Sequence, residues 1–338
     1  MNEKLKKNIA MYLNKYPKLR QWVYRTLIKI KYKNEFMNDY KLFTRNYMKN
    51  EITSSQIEYN IMLLIHNLEK GMCYKKIRFF GAEKVRDIIR LYNEEEKLKF
   101  DTSKTCYIMA INILNEWIAL HEKNGWEKDE TYILVNDFVK NNLKNKMNVG
   151  SMKYNKSEYE KYYNFDYLSA IKTRHSVRDF ESKELNDEDI NYCIKAALAT
   201  PTACNRQMIK IYNVQSKKSK ELLIKKIVGL HGFNLNTVNL FVITFDLSAL
   251  SYGLERNQGY FNSGLVGMNF CNALHFRGIG SCFLQWANGH KDENEIKKVL
   301  NIPNCERIAV VVGAGYYKNG TLIPCSYRKN IDEVYKKI

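Results

Sequence analysis

The sequence predicts an α+β protein, in which a mixed central sheet flanked by helices follows an all-helical first half. Three observations predict it. The first 145 residues or so carry apolar side chains at helical spacing, and Pro17 is the one proline among the first 200 residues. After residue 165, three short apolar runs rich in branched residues appear, as buried strands require. Long helical stretches, notably 188–199 and 262–276, separate those runs.

The elements follow in order. Residues 19–30 place Leu19, Trp22, Val23, Leu27 and Ile30 near helical spacing, with Arg20, Arg25 and Lys29 between them. Residues 54–69 set Ile57, Ile61, Leu64, Ile65 and Leu68 on one face, and Gly71 marks a turn. Residues 82–92, 104–123 and 129–144 are further helices. The polar, Tyr- and Lys-rich stretch 147–163 reads as a linker. The strands are 209–214, 240–245 and 308–312, the last running into Gly313-Ala314-Gly315. This divides the chain into a helical domain at 1–160 and a sheet domain at 161–338.

Bulk properties narrow the classes. A chain of 338 residues with 45% hydrophobic residues can bury two ordinary cores. No apolar run reaches the ~18 residues of a membrane span. The N-terminal lysines precede too short an apolar stretch for a secretory signal, which predicts a cytoplasmic protein. The eight cysteines (Cys73, Cys106, Cys193, Cys204, Cys271, Cys282, Cys305 and Cys325) form no C-x-x-C pair. That scatter fits buried free thiols in a reducing compartment better than a disulfide framework or a zinc site.

The net charge is +18, and residues 1–50 hold thirteen Lys or Arg against Glu3, Glu35 and Asp39. Such a segment suits an anionic surface, whether lipid headgroups on the inner face of the membrane or an acidic partner. It equally suits a solvated helix face. No DNA- or RNA-binding pattern accompanies the charge, so nucleic acid is not an expected partner.

Four segments carry candidate chemistry. Arg174-His175-Ser176-Val177-Arg178-Asp179-Phe180 groups guanidinium, imidazole and hydroxyl donors that can surround a phosphate or a polarised carbonyl. Pro201-Thr202-Ala203-Cys204-Asn205-Arg206-Gln207 precedes a strand, and its amides offer both donors and acceptors to a polar ring edge. Gly278-Ile279-Gly280-Ser281-Cys282-Phe283-Leu284-Gln285-Trp286 follows a helix of small and apolar residues and permits close backbone approach. Its spacing is not that of a dinucleotide fingerprint. Gly313-Ala314-Gly315-Tyr316 leads on to Arg328 and Lys329, a further candidate anion site. Singly these also read as a solvated basic run, a helix-to-strand turn, a helix-packing stripe and a surface pair.

Together, and in this order, they resemble the nitroreductase family. The family's R-x-S-x-[RK]-x-F segment is matched by Arg174, Ser176, Arg178 and Phe180, and P-S-x-x-N-x-Q by Pro201, Thr202, Asn205 and Gln207. G-L-G-S is matched by residues 278–281, and G-x-G-Y with a distal arginine by Gly313, Gly315, Tyr316 and Arg328. The resemblance runs from about residue 165 to the C-terminus. It implies a nitroreductase-like fold, FMN at the interface of an intertwined homodimer, and NADH or NADPH as hydride donor to a small-molecule acceptor in a ping-pong scheme. Arg174, His175 and Ser176 would bind the phosphate and ribityl end, with Arg328 completing the phosphate site. Arg178 would place a cation near the pyrimidine edge of the ring, where the reduced flavin is anionic. Pro201, Thr202, Ala203, Asn205 and Gln207 would come from the other subunit, and Leu284 and Gln285 would approach the hydride-accepting nitrogen. No further catalytic residue and no metal site is implied.

The chain departs from the pattern at Thr202, where serine is usual, at Met208-Ile209, where Pro-Trp is common, and at Gln285, where some members carry glutamate. In the first half, His66-Asn67-Leu68-Glu69-Lys70-Gly71, followed by Phe80-Gly81, resembles a segment of longer nitroreductase-like proteins associated with bacterial surface-polysaccharide gene clusters. His66 and Glu69 would share a helix face. Two function classes follow: a flavin oxidoreductase, linked through this segment to surface-polysaccharide biosynthesis, or a flavoprotein whose basic helical half docks on an anionic surface without rapid turnover.

Overall fold

The structure is a computed structural model, and it describes residues 15–47, 53–73, 79–97, 101–127, 129–151, 166–227, 230, 238–251, 253–320 and 331–338. Most of the expected linker and all of 321–330, with Arg328 and Cys325, lie outside the described residues.

Among the described residues, five helices fill the first half: α1 (Pro17–Tyr47), α2 (Ser54–Met72), α3 (Ala82–Lys97), α4 (Thr105–Lys123) and α5 (Glu130–Asn142). Pro17 opens α1, where its fixed φ suits a first helical position and its missing N–H costs nothing. Asp129 caps α5 by accepting from the Thr131 amide at 2.8 Å. Helices α2 to α5 enclose one core around Ile61, Ile65, Tyr107, Leu114 and Trp117. The expected stripe of α2 supplies Ile57, Ile61, Ile65 and Leu68 to it.

Helix α1 stands outside that core. Its residues 19–30, read from their periodicity as a helix, do form one, but Leu19, Trp22, Leu27 and Ile30 remain exposed. Only its C-terminal part touches the sheet half. Leu42 and Phe43 pack with Tyr59 against Met208, Phe245 and Leu247. The Tyr59 hydroxyl donates to Asp246 at 3.3 Å.

The second half contains α6 (Tyr167–Thr173), α7 (Asp187–Leu198), β1 (Ile209–Val214), α8 (Lys217–Lys226), β2 (Asn239–Asp246), α9 (Gln258–Phe276), β3 (Ile279–Leu284), α10 (His290–Val299), β4 (Glu306–Tyr316) and α11 (Ile331–Val334). The fold class is therefore α+β, as the sequence predicts. The sheet order is β1-β2-β4-β3, and every ladder is antiparallel. The mixed character expected of the sheet resides in one isolated parallel bridge, Ser176 to Ser281.

Side chains alternate between the two faces, as the strand period of two dictates. Leu240, Val242 and Val311 face a core that includes Leu223 of α8 and Ile296 of α10. Phe241, Ile243 and Val312 face a second core with Cys193 of α7 and Phe270 of α9. Central strands buried on both faces read as continuous apolar runs, which is why β2 and β4 are plain in the sequence. Edge strand β3 is not. Gly278, Gly280 and Ser281 read as a turning segment, and the structure corrects residues 279–284 to a strand. Helices α8 and α10, rich in lysine and acid, are likewise additions to the expected set.

Among the seven described cysteines none is in a disulfide. Cys106, Cys193, Cys271 and Cys282 are buried as expected, whereas Cys204 and Cys305 are half-buried and Cys73 is exposed. No described helix is long and apolar enough to cross a membrane.

Candidate functional site

The segment 174–180 runs across the open edge of the sheet, and glycines make room for it. The Val177 amide donates to the Ser281 carbonyl at 3.1 Å, and the Glu181 amide to that of Tyr316 at 3.1 Å. A Cβ on Gly280 would lie 2.9 Å from the Val177 side chain, and one on Gly315 would lie 2.6 Å from Phe180. Both distances are below any tolerable carbon contact, so these two positions need glycine for close approach. Val177 and Phe180 are thereby driven into the core. Arg174, His175, Ser176 and Arg178 are left half-buried on the outer side.

The one acid of this segment is drawn away, since Asp179 pairs with Lys318 at 2.8 Å. Among the described residues the Arg174 and His175 side chains form no hydrogen bond or ion pair, and Arg178 lies 3.5 Å from the Ser176 carbonyl. A cationic and hydroxylic donor set such as Arg174, His175 and Ser176, which no carboxylate meets among the described residues, fits a phosphate or another oxyanion.

His275, at the end of α9, supports this corner and was not singled out from the sequence. Its Nε2 lies 2.9 Å from the Thr173 hydroxyl and its Nδ1 lies 2.8 Å from the Tyr317 hydroxyl. Burial holds the imidazole below its ordinary pKa, and the nearby Arg174 and His175 charges add to the effect. A neutral His275 thus ties the end of α6 to the end of β4, immediately before Arg174. Its spacing from Arg174 in sequence hides it, because only the fold joins the two.

Tyr316 of the G-x-G-Y motif has a tying role as well. Its hydroxyl donates to Asp189 at 2.7 Å, and Arg277 Nε donates to the same carboxylate at 2.6 Å. The Tyr316 hydrogen bond is the main cause that lowers the Asp189 pKa.

The second segment occupies a different corner. Cys204, Asn205 and Gln207 have φ of 51°, 51° and 50° in the left-handed region, which disfavours side-chain-bearing residues. Two anchors hold this backbone. The Gln207 amide donates to the Thr202 hydroxyl at 3.0 Å. Arg206 is 2% exposed and forms a forked pair with Glu255 at 2.6 and 2.9 Å. Arg206 therefore acts inward, while Pro201 and Gln207 are exposed and Thr202, Ala203 and Asn205 half-buried. An apolar cleft of about 110 Å³ adjoins the loop, lined by Ile194, Leu198, Thr202, Gln207, Ile211 and Val266 among others.

One chain does not bring the two segments together. Gln207 precedes β1 at one edge, and Ser176 lies beside β3 at the other, three strand steps away. The registers Ile209–Phe245 and Asn239–Ala314–Ser281 set Gln207 and Ser176 about eight residues apart along the strands. At strand spacings of ~4.8 Å and ~3.3 Å per residue the separation is on the order of 30 Å. Leu284 is buried in the sheet core, whereas Gln285, just beyond β3, is exposed.

In the helical half, His66 Nδ1 and Glu69 Oε2 are 4.0 Å apart on α2, neighbours as expected but beyond hydrogen-bond reach. Gly71 accommodates the ring of Phe80, so this segment's glycine serves packing. Among the described residues no three metal-ligating side chains cluster.

The second half is similar to known proteins. Residues 171–230 and 254–316 match the Nitroreductase family. A protein of Archaeoglobus fulgidus that bears the name NADH dehydrogenase/NAD(P)H nitroreductase is 26% identical over 155 residues, 45% of this chain and 86% of its own. A protein of the same name from Methanothermobacter thermautotrophicus is 24% identical over 156 residues, 45% of this chain and 77% of its own. Among solved structures, a nitroreductase family protein from Streptococcus pneumoniae aligns with a TM-score of 0.44 and 24% identity, over 51% of this chain and 100% of that one. An FMN-dependent nitroreductase from Clostridium difficile aligns with a TM-score of 0.44 and 19% identity, over 51% and 99%.

Proposed function

We propose that the nitroreductase-family domain at residues 171–316 binds FMN and works as an NAD(P)H-dependent oxidoreductase toward a small-molecule acceptor. The observation that carries this reading is the donor set Arg174, His175 and Ser176. It is held half-buried beside the glycine-bearing strand β3, with its one neighbouring acid paired elsewhere. Such a set fits the phosphate and ribityl end of FMN. Arg328 would complete the phosphate site, and Arg178 would set a positive charge near the pyrimidine edge of the ring. When bound, FMN supplies the two-electron chemistry. The protein's part is to hold the phosphate, to stabilise negative charge at the ring and to admit donor and acceptor in turn, a ping-pong order.

The diagonal placement of the two segments favours a homodimer, in which Pro201, Thr202, Ala203, Asn205 and Gln207 of one copy complete the site begun by Arg174 of the other. Leu284 and Gln285 would border the reacting edge. The exposed stripe Phe261, Leu265 and Met268 on α9 offers an apolar face for such pairing. A division into a helical domain at 1–160 and a flavin domain at 161–338 accompanies this reading. A link to surface-polysaccharide biosynthesis rests on the H-x-x-E-K-G segment alone.

The test is the visible spectrum of the purified full chain, with the released cofactor identified by chromatography. A yellow protein releasing about one FMN per chain supports the site. A colourless protein that refuses added FMN overturns it. The exposed basic helix α1 favours a second reading, a flavoprotein docked on an anionic surface without rapid turnover. NAD(P)H oxidation with a quinone or nitroaromatic acceptor separates the two.

A further inference from the structure

Helix α1 is a 31-residue element whose surface is unlike that of any other helix here. It exposes Trp22 (64%), Phe36 (74%) and Tyr40 (62%) together with Leu27, Ile30 and Met37. It also carries eight Lys or Arg between Lys18 and Arg45, all exposed. Among the described residues none of these eight is in an ion pair. The two acids of the helix are turned inward: Glu35 accepts from the His290 amide at 3.1 Å, and Asp39 accepts from Arg307 at 2.6 Å.

Those contacts define the orientation. Glu35, Asp39, Leu42 and Asn46 fall four, three and four residues apart and form the stripe that faces the protein. At 100° per residue, the opposite stripe carries Trp22, Ile30, Met37 and Tyr40, interleaved with Lys29 and Lys33. Among the described residues, the hydrogen bonds and ion pairs that tie α1 to the rest begin at Glu35. Before Glu35, Trp22, Lys29, Ile30 and Lys33 lie on the side away from those ties.

We infer that this face of α1 docks on an anionic lipid surface. Charge complementarity selects that occupant. Lys29 and Lys33 on this face, with the other exposed basic residues around the helix, attract acidic headgroups, while tryptophan and tyrosine place an apolar body and a polar tip at the boundary between headgroups and chains. Lysine stems at positions 29 and 33 let their ammonium groups reach the headgroups while the neighbouring apolar side chains enter. The rival occupant is a second copy of this chain. Leu19, Val23, Thr26, Ile30, Lys33, Met37 and Tyr40 alternate four and three apart, the spacing of a coiled-coil seam. That pairing would seat Lys33 in the seam and bring sixteen like charges together, which opposes it. The inference is independent of the flavin reading, because α1 shares no residue with the proposed site.

The experiment uses the full-length protein with sucrose-loaded vesicles of phosphatidylcholine, alone or mixed with phosphatidylglycerol, in a sedimentation assay at low and high salt. The expected result is partition onto the mixed vesicles at least about tenfold above the neutral ones, weakened by salt. Lys29→Glu with Lys33→Glu should lower it about tenfold, and Trp22→Ser with Ile30→Ser should lower it several-fold. Far-UV circular dichroism checks that both variants keep their helices. Equal partition onto both vesicle types overturns the inference. So does binding that the charge reversal leaves intact. If charge reversal abolishes binding and the apolar variant leaves it intact, the face is a polyanion patch and the lipid assignment fails. A concentration-dependent dimer that the apolar variant dissolves, without vesicle binding, assigns the face to a second copy.

Discussion

The bundle α2 to α5 and the sheet region use burial for different ends. In the bundle, one continuous core contains Trp117, Tyr107 and the apolar stripe of α2, and buried polar groups tie helices to one another and to the loops between them. Trp117 Nε1 donates to the Phe80 carbonyl at 2.9 Å, and His121 stacks on the Trp117 ring with centroids 3.5 Å apart. In the sheet region the core is split over two faces, and fully buried charges position loops. Arg206 holds the 200–207 turn, and Glu293 accepts from both Arg307 and the Ile308 amide. The difference teaches that bundle changes should appear as stability, while changes around the sheet edges should appear as ligand binding.

The largest expected effect tests the bundle. Trp117→Ala removes a fully buried ring and should cost about 3–5 kcal/mol in urea unfolding. The flavin content of the molecules that remain folded should not change. A loss of flavin at intact fold would show that the two regions are one functional unit. Arg206→Met removes the forked pair with Glu255, which keeps the Ser251 amide, and should cost about 3 kcal/mol, with flavin retention falling alongside. Loss of stability with full retention would mean that the 200–207 turn is not part of the site.

Arg174→Ala and Arg328→Ala are expected to move retention alone. Each removes a charge-assisted contact worth about 1.5–3 kcal/mol, hence roughly ten- to a hundredfold in FMN affinity, with no change in the melting temperature of the flavin-free protein. Unchanged affinity in both would remove these residues from the phosphate site.

The smallest effect concerns pH and compares one histidine from each region. Burial lowers the pKa of His121 in the bundle and of His275 beside Arg174. For a histidine with a lowered pKa the unfolded chain binds more protons. The contribution to stability is therefore full above the ordinary value of 6.5 and is lost as pH falls below it toward the folded value. Melting temperature should decline as the pH drops under about 6.5. His275→Asn should remove part of that decline, and His121→Asn another part. A decline identical in both variants and the parent chain would exclude these two groups.

The sequence was legible where physics is local. Helix periodicity placed α2 and α4, and unbroken apolar runs placed β2 and β4, because strands buried on both faces must be apolar throughout; the edge strand β1 was placed by its branched residues although Lys210 and Asn213 interrupt them. It was illegible where a residue's reason lies far along the chain. Gly280 and Gly315 look like turn glycines, yet each sits in a strand and is small because Val177 or Phe180 crosses above it. Edge strand β3 was missed for that reason. His275 escaped notice because 101 residues separate it from Arg174, whose neighbour Thr173 it contacts.

Composition and motif order alone determined the α+β class, the basic charge of the first fifty residues and the chemistry of four segments, since these depend on residue type and near neighbours. Tertiary structure decided which faces those residues present. It sent Arg206 inward to Glu255 and, among the described residues, paired no acid with Arg174. It placed the two motif segments at opposite edges of one sheet, and it turned the aromatic side of α1 away from the protein. Burial and pairing depend on contacts between residues far apart in the chain, and local spacing carries no record of those.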